Sequence, residues 1–269
     1  MYELFVLLWP EIFLVVVGCL LLLVGITQSP AVRRFAPLAA AGALVIIFAM
    51  LLGSGPIESA LWDRWNTVYI FKFQEYVKLI AAGAGVLLVL LAWPTNADAT
   101  GNPSIQFGHE CGEFFGLMLL SIAGIFVVAS ANDIILLFLG IELASIPTYI
   151  MVSISRPLPV AQEAGVKYFF LGSMAAALML FGFSYLYGTT GQTNLERIAG
   201  VMKLSEPGHA WQLLAVIMLI VGFAFKIAAV PLHAYAADVY QGAATPVTAF
   251  LAFVPKTSGF VALIKVLYY

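Results

Sequence analysis

The sequence predicts an all-α integral membrane protein with about eight transmembrane helices. Of its 269 residues, 62% are hydrophobic and 10% charged, whereas a soluble domain is about 25% charged. Mean hydropathy is +1.02. The apolar stretches run for roughly 20 residues, the length that crosses a bilayer as a helix. They are continuous rather than alternating, which excludes a barrel, the other architecture that satisfies every backbone group in lipid.

The first span is expected over Trp9 to Ile26, ending at Thr27-Gln28-Ser29-Pro30. Met1-Tyr2-Glu3 lacks the basic segment of a signal peptide, so this span is expected to be retained. The second runs from Phe35 to Leu52 and stops at Gly53-Ser54-Gly55-Pro56. A polar, aromatic loop follows over Glu58 to Phe73. The third span covers Glu75 to Ala92, closed by Trp93-Pro94, and Thr95 to His109 is a polar loop. The fourth covers Phe114 to Ser130, and Asn132-Asp133 turns directly into the fifth, Ile134 to Ile154. Arg156-Pro157-Leu158-Pro159 breaks the chain before the sixth, Glu163 to Tyr187. A loop is expected from Gly188 to Ala210, then a seventh span from Trp211 to Val230 and an eighth from Pro246 to Tyr268. Trp9, Trp62, Trp65, Trp93 and Trp211 all fall near proposed span ends, the depth at which indole rests at the headgroups.

Net charge is −2, and no basic tail is present, so no nucleic-acid partner is expected. Lipids are. Cys19 and Cys111 belong to no CxxC pair, which argues against a zinc or iron–sulfur site. Gly83-Ala84-Gly85 sits inside an apolar helix and follows no strand, so it is not a dinucleotide fingerprint. No cofactor motif, metal site or covalent catalytic residue is expected in this chain.

Charges inside the spans carry the functional signal. Glu142, Lys167, Lys226 and Lys256 interrupt otherwise apolar runs. Each costs roughly 2.5–3.5 kcal/mol on insertion scales, and such residues mark ion or proton routes by default. Glu142 lies about eight residues into its span, near the midplane. It must be neutral or paired there, and Lys226 is the natural partner. In low dielectric the two are strongly coupled, so the pair serves as a switch or as a static structural link.

Pro231 follows Lys226 by five residues and should break the seventh helix. A broken helix offers free carbonyls at its C-terminal end to an ammonium, a recurring device at transporter midplanes. His233 is seven residues from Lys226, on the same face if the helix continued. It reads as a proton relay or as a hydrogen bond inside the break. Asp238 reads as a loop anchor or helix cap. Lys256 lies roughly ten residues from either end of its span, too deep for easy snorkelling. Lys167, about four residues into its span, reaches the interface by snorkelling or modulates the site. Lys265 reads as interfacial. Lys78 and Glu75 read as a structural pair on one helical face.

Longer motifs surround these charges: Gly112-Glu113-Phe114-Phe115, Ala129-Ser130-Ala131-Asn132-Asp133-Ile134, Phe138-Leu139-Gly140-Ile141-Glu142, Pro231-Leu232-His233, Asp238-Val239-Tyr240-Gln241-Gly242-Ala243 and Thr245-Pro246-Val247-Thr248-Ala249-Phe250-Leu251. Together they resemble the antiporter-like membrane subunits of respiratory complex I, nearest to the N-type subunits of NADH-quinone oxidoreductase. The resemblance covers most of the chain. It implies a proton pathway in which Glu142 stands at the family's fifth-helix glutamate, Lys167 at its sixth-helix lysine, Lys226 at its seventh-helix lysine and Lys256 at its eighth-helix lysine, with His233 between the last two. Lys78 matches a lysine early in the family's third helix. The chain departs from the family pattern at Tyr235, where tryptophan is usual, and at Ala237 and Ala244, where proline is usual. Those positions surround the helix break and affect its shape.

The resemblance also implies organisation. Residues 1–95 would hold three N-terminal helices, 96–112 a polar loop, and 113–269 a five-helix proton half-channel repeat. The family has about fourteen helices built on two inverted repeats, and this chain stops after the eighth. Either it is a piece of a longer product or a second polypeptide supplies the missing C-terminal helices. The implied function is proton translocation in a translocase whose redox work is done elsewhere. NADH, FMN, iron–sulfur clusters and quinone would reside in partner subunits of a bacterial cytoplasmic membrane, or of an organellar energy-transducing one. Two alternatives remain: a subunit of an Mrp-type cation/proton antiporter or membrane hydrogenase, and a non-pumping structural or assembly fragment.

Overall fold

A computed structural model of the chain describes residues 8–27, 30–53, 72–93, 111–204 and 210–268. Trp62, Trp65 and the two polar stretches predicted at 58–73 and 95–109 lie outside these, apart from Lys72 and Phe73 at the end of the first. Ten helices form among the described residues: α1 (Trp9–Gly25), α2 (Pro30–Gly53), α3 (Lys72–Leu91), α4 (Cys111–Ser130), α5 (Ile134–Ile154), α6 (Pro159–Thr190), α7 (Leu195–Leu204), α8 (Ala210–Lys226), α9 (Ala234–Gly242) and α10 (Thr245–Tyr268). Of the described helices, α2 to α6 and α10 are long and apolar enough to cross a membrane, and α1 and α8 are shorter apolar helices. These eight are the predicted spans.

Local chemistry sets the helix ends. Asp133 has extended backbone and its Oδ1 accepts from the N–H groups of Ile135 (2.8 Å) and Leu136 (3.3 Å), an N-cap that starts α5. Pro159 opens α6 at its first turn, where a missing N–H costs nothing. Gly191 closes α6 in the left-handed region at φ 65°. The turns on either side are tied together, since Ile134 N donates to Thr193 O at 2.9 Å and Leu195 N to Asn132 O at 3.0 Å.

Three predicted boundaries are corrected. The sixth span starts at Pro159 rather than Glu163, and at 32 residues α6 is about 48 Å long, more than the roughly 30 Å hydrocarbon layer. Gly188 to Ala210 is not simply a loop, because Leu195–Leu204 forms α7. Leu195 and Ile198 are buried and Met202 is partly so; this spacing is helical, although Arg197 and Lys203 give the stretch a polar appearance. The seventh span ends at Lys226, not Val230. A proline ring collides with the carbonyl four residues earlier, and for Pro231 that is Ile227, so the helix stops upstream of the proline. Ala228 then turns the chain at φ 56°, and the residues read as a polar run form α9.

The core centres on α4, most of whose residues are buried. It approaches α1 and α5 through small residues, the usual basis of helix association in lipid. A Cβ at Gly112 would lie 2.7 Å from the Gly25 Cα of α1, and one at Gly124 would collide with the Ala144 backbone of α5. Large apolar side chains such as Leu23, Leu87, Phe170 and Leu213 face outward, as a lipid-facing surface requires.

Candidate functional site

The site is built where α8 stops. Lys226 is its last residue and is buried. Its ammonium has three N–H donors and three acceptors on one face of α5: Glu142 Oε1 at 2.9 Å, Ser145 Oγ at 2.9 Å and Tyr149 Oη at 3.4 Å. These acceptors stand at i, i+3 and i+7, one stripe of a helix. The Ser145 hydroxyl donates to Ile141 O at 2.8 Å, which turns its lone pairs to the lysine. The side chains are 3% (Lys226) and 15% (Glu142) exposed. The C-terminal end of α8 adds its carbonyls, the negative pole of the helix dipole, to the lysine's surroundings.

Aromatic residues extend the site away from the pair. Tyr168 of α6 meets the Tyr149 ring edge-on at 4.6 Å and stacks on Tyr235 of α9 at 5.5 Å. Tyr235 stacks on Phe225 at 4.3 Å, and its hydroxyl donates to the Phe225 carbonyl at 3.1 Å. The phenol is a second donor to that carbonyl, which also accepts from Ala228 N at 3.0 Å where the chain leaves α8. Beyond it a cavity of about 10 Å³ is lined by Tyr168, Lys226, Tyr235, Val239, Tyr240, Leu251, Pro255 and Lys256. This is room for about one water. Both lysines border it. Lys256 Nζ lies 5.3 Å from the centre of the Tyr240 ring, a cation–π contact. Pro255 lacks an N–H, so the Leu251 carbonyl has no helical donor at the cavity wall.

Glu142, Lys226 and Lys256 are therefore brought together. Lys167 is not among them. It stands eight residues into α6, and its ammonium pairs with Glu163 Oε1 and Asp238 Oδ2, each at 2.9 Å. Half-exposed, this triad ties α9 to α6. Asp238 is thus an ion-pair partner rather than a helix cap. His233 opens α9 and is exposed. Because α8 ends at Lys226, the two-turn alignment with His233 does not arise. Lys78 also departs from expectation: it pairs with Glu11 of α1, not with Glu75. Lys265, in the last turn of α10, bonds the backbone carbonyls of Ala129 and Ala131 where α4 ends.

Sequence reading missed Ser145, Tyr149, Tyr168, Tyr235 and Tyr240. The first two were visible as polar residues at helical spacing from Glu142. Tyr235 stood out only as a departure from the family pattern at the break, and the other tyrosines carried no separate signal, because aromatic residues are common in membrane helices.

Residues 131–269 match the family model described as NADH:quinone oxidoreductase/Mrp antiporter, transmembrane. The chain belongs to that family. It is 38% identical over 263 residues to NADH-quinone oxidoreductase subunit N of Geobacillus kaustophilus, covering 96% of this chain and 50% of that protein. It is 36% identical over 258 residues to F(420)H(2) dehydrogenase subunit N of Methanosarcina mazei, covering 96% of this chain and 51% of that protein. A chain of respiratory complex I from Thermus thermophilus superposes with a TM-score of 0.70 at 28% identity, over 95% of this chain and 52% of that one. The chain spans about half the length of the curated relatives it matches. The family assignment and the apolar helices make it an integral membrane protein with the antiporter-like fold.

Proposed function

We propose that this chain forms a proton half-channel, over residues 113–269, in a membrane subunit of a complex I-type NADH:quinone oxidoreductase. One observation carries the reading: a buried ammonium, Lys226, is held by Glu142 on one side and borders a water-sized cavity ending at Lys256 on the other. Redox work in partner subunits, where NADH, FMN, iron–sulfur clusters and quinone would be bound, reaches the chain as a shift that separates Glu142 from Lys226. An ammonium left without its counter-ion in a dry site costs several kcal/mol. Lys256 first releases its own proton onward and is left as an amine; the Lys226 N–H bond then breaks, the proton passes to water in the cavity, and the Lys256 amine takes it up. Tyr168, Tyr235 and Tyr240 wall that path and keep it narrow. Lys167 acts through Asp238 as a modulator of α9, and His233 serves as a relay on the outer side of the break. Neighbouring membrane subunits, lipids and the remaining C-terminal helices, on this chain or a second one, complete the unit in a bacterial cytoplasmic membrane.

The test uses the assembled complex in sealed vesicles. Lys226→Ala and Lys256→Ala should each lower the protons moved per electron with quinone reductase present in normal amount. Unchanged ratios in both variants would sink the reading. An Mrp-type antiporter instead moves sodium against protons in the same vesicles without NADH oxidation.

A further inference from the structure

A second group of ionisable side chains lies apart from the Lys226–Lys256 line. It sits where the first turns of α1 and α3 meet the last turns of α4 and α10. Glu11 and Lys78 form an ion pair with each side chain 5% exposed. Ser130 Oγ donates to Glu11 Oε1 at 2.8 Å and accepts from Gln74 Nε2 at 3.0 Å. Lys265 donates to the carbonyls on either side of Ser130, those of Ala129 and Ala131, the latter at 2.6 Å. Ser130 thus stands between the two lysines: it bonds the Glu11 carboxylate that Lys78 faces, and Lys265 reaches the carbonyls on either side of it. Glu11 Oε2 is buried and has no hydrogen-bond donor among the described residues. Of the other acids near this end, Asp133 is occupied with the first N–H groups of α5, while Glu75 stands in the first turn of α3 and Glu196 in that of α7.

A clamp between helices does not need this arrangement. One buried carboxylate, Glu11, already faces Lys78, and Lys265 brings a second, part-buried ammonium to the same end. A lysine in the last turn of a span ordinarily extends to the headgroups, but Lys265 bonds the carbonyls where α4 ends. The carbonyls at the end of α4 offset part of its charge. The cluster also lies close to the first site. Gly259 of α10 rests on Lys226, since a Cβ there would be 3.1 Å from the lysine's own Cβ. Lys265 follows six residues later, about 9 Å along the helix. The fully buried Ser258 is two turns from Lys265 on the same face.

We infer that Lys265, Lys78 and Glu11 form a second proton-holding station, between the Glu142–Lys226 pair and the membrane face at which α4 and α10 end. This rests on the proton-channel reading above. In the step, an N–H bond of the Lys265 ammonium breaks, the proton goes to water, and the amine remains. Lys78 and Glu11 then remain as one ammonium facing one carboxylate. A proton arriving from the pair restores the second ammonium. Glu11 keeps the lysines ionised in turn and offers its unbonded oxygen to the water that carries the proton.

The test is made in proteoliposomes of the assembled complex, with an internal pH dye and electron flow to quinone. Lys265→Arg keeps the charge and the carbonyl bonds but cannot release a proton. It should lower the protons moved per electron at least twofold at normal complex content. Lys265→Met, should arginine prove too large, should give the same loss. A wild-type ratio in Lys265→Arg overturns the station. So does failure of both variants to assemble with a normal ratio in whatever complex remains, which makes the cluster a clamp. Lys226→Ala run in parallel separates the two readings. If it too is wild-type, the half-channel itself fails; if it alone loses translocation, only the station does.

Discussion

The Lys226 ammonium lies 2.9 Å from the Glu142 carboxylate at the residue where α8 ends. The pair thus couples a charge to a backbone break. Moving the break changes where the lysine can reach, and changing the charge alters what holds the break in place. The seven residues between α8 and α9 are fixed on one side by this pair and on the other by the Lys167–Asp238 bridge.

The pair should behave as a buried ion pair. Glu142→Ala leaves an ammonium without its counter-ion and should destabilise the protein by about 3–5 kcal/mol. Glu142→Gln combined with Lys226→Met removes both charges and should cost less than the alanine substitution alone. Thermal unfolding of the purified complex measures both. Equal or additive losses would show that the charges are not coupled.

Ala228 turns the chain in the left-handed region, where a side chain is disfavoured by about 1–2 kcal/mol. Ala228→Gly should be tolerated or slightly stabilising, while Ala228→Val, branched at Cβ, should cost more than about 1 kcal/mol. A melting series over these two substitutions tests the turn. Valine melting with wild type would contradict it.

Tyr235→Phe keeps the stack on Phe225 and Tyr168 but removes the hydroxyl that bonds the Phe225 carbonyl. The expected loss is about 1 kcal/mol, the net worth of one hydrogen bond. Proton translocation should slow, because the end of α8 loses a fixed anchor. An unchanged melting point would mean that the Ala228 N–H, which bonds the same carbonyl at 3.0 Å, suffices and the phenol adds nothing.

The Lys167 triad is half-exposed, and exposed ion pairs are worth about 0–1 kcal/mol. Asp238→Asn should therefore change stability by less than about 1 kcal/mol in detergent. Lys167→Met should slow translocation without abolishing it. If Lys167→Met were as severe as Lys226→Ala, Lys167 would belong in the main line.

Much of this was legible in the residues. Apolar run length fixed eight spans, and the cost of a charge in lipid singled out Glu142, Lys167, Lys226 and Lys256, of which Lys167 stands apart with Glu163 and Asp238. The direct turn at Asn132-Asp133 formed as expected, and the N-cap that Asp133 makes there is a local contact the reading had not named. What else escaped was set by contacts distant in sequence. Lys78 chose Glu11, on another helix, over Glu75 three residues away. Lys265 chose the carbonyls at the end of α4, 134 and 136 positions back. Asp238 looked like a loop residue, and only the return of α9 onto α6 showed its partner. The break was displaced upstream because Pro231 acts on the carbonyl four residues before it, a rule visible in the sequence but applied to the wrong residue.

The central claim is that Lys256 takes up and releases a proton delivered across the cavity from Lys226. Lys256→Arg tests it most directly, because arginine keeps a positive charge over Tyr240 yet stays protonated. In sealed vesicles of assembled complex, the protons moved per electron should fall to the level of Lys256→Ala. A Lys256→Arg variant that translocates like wild type would contradict it, leaving Lys256 as a fixed charge rather than a carrier.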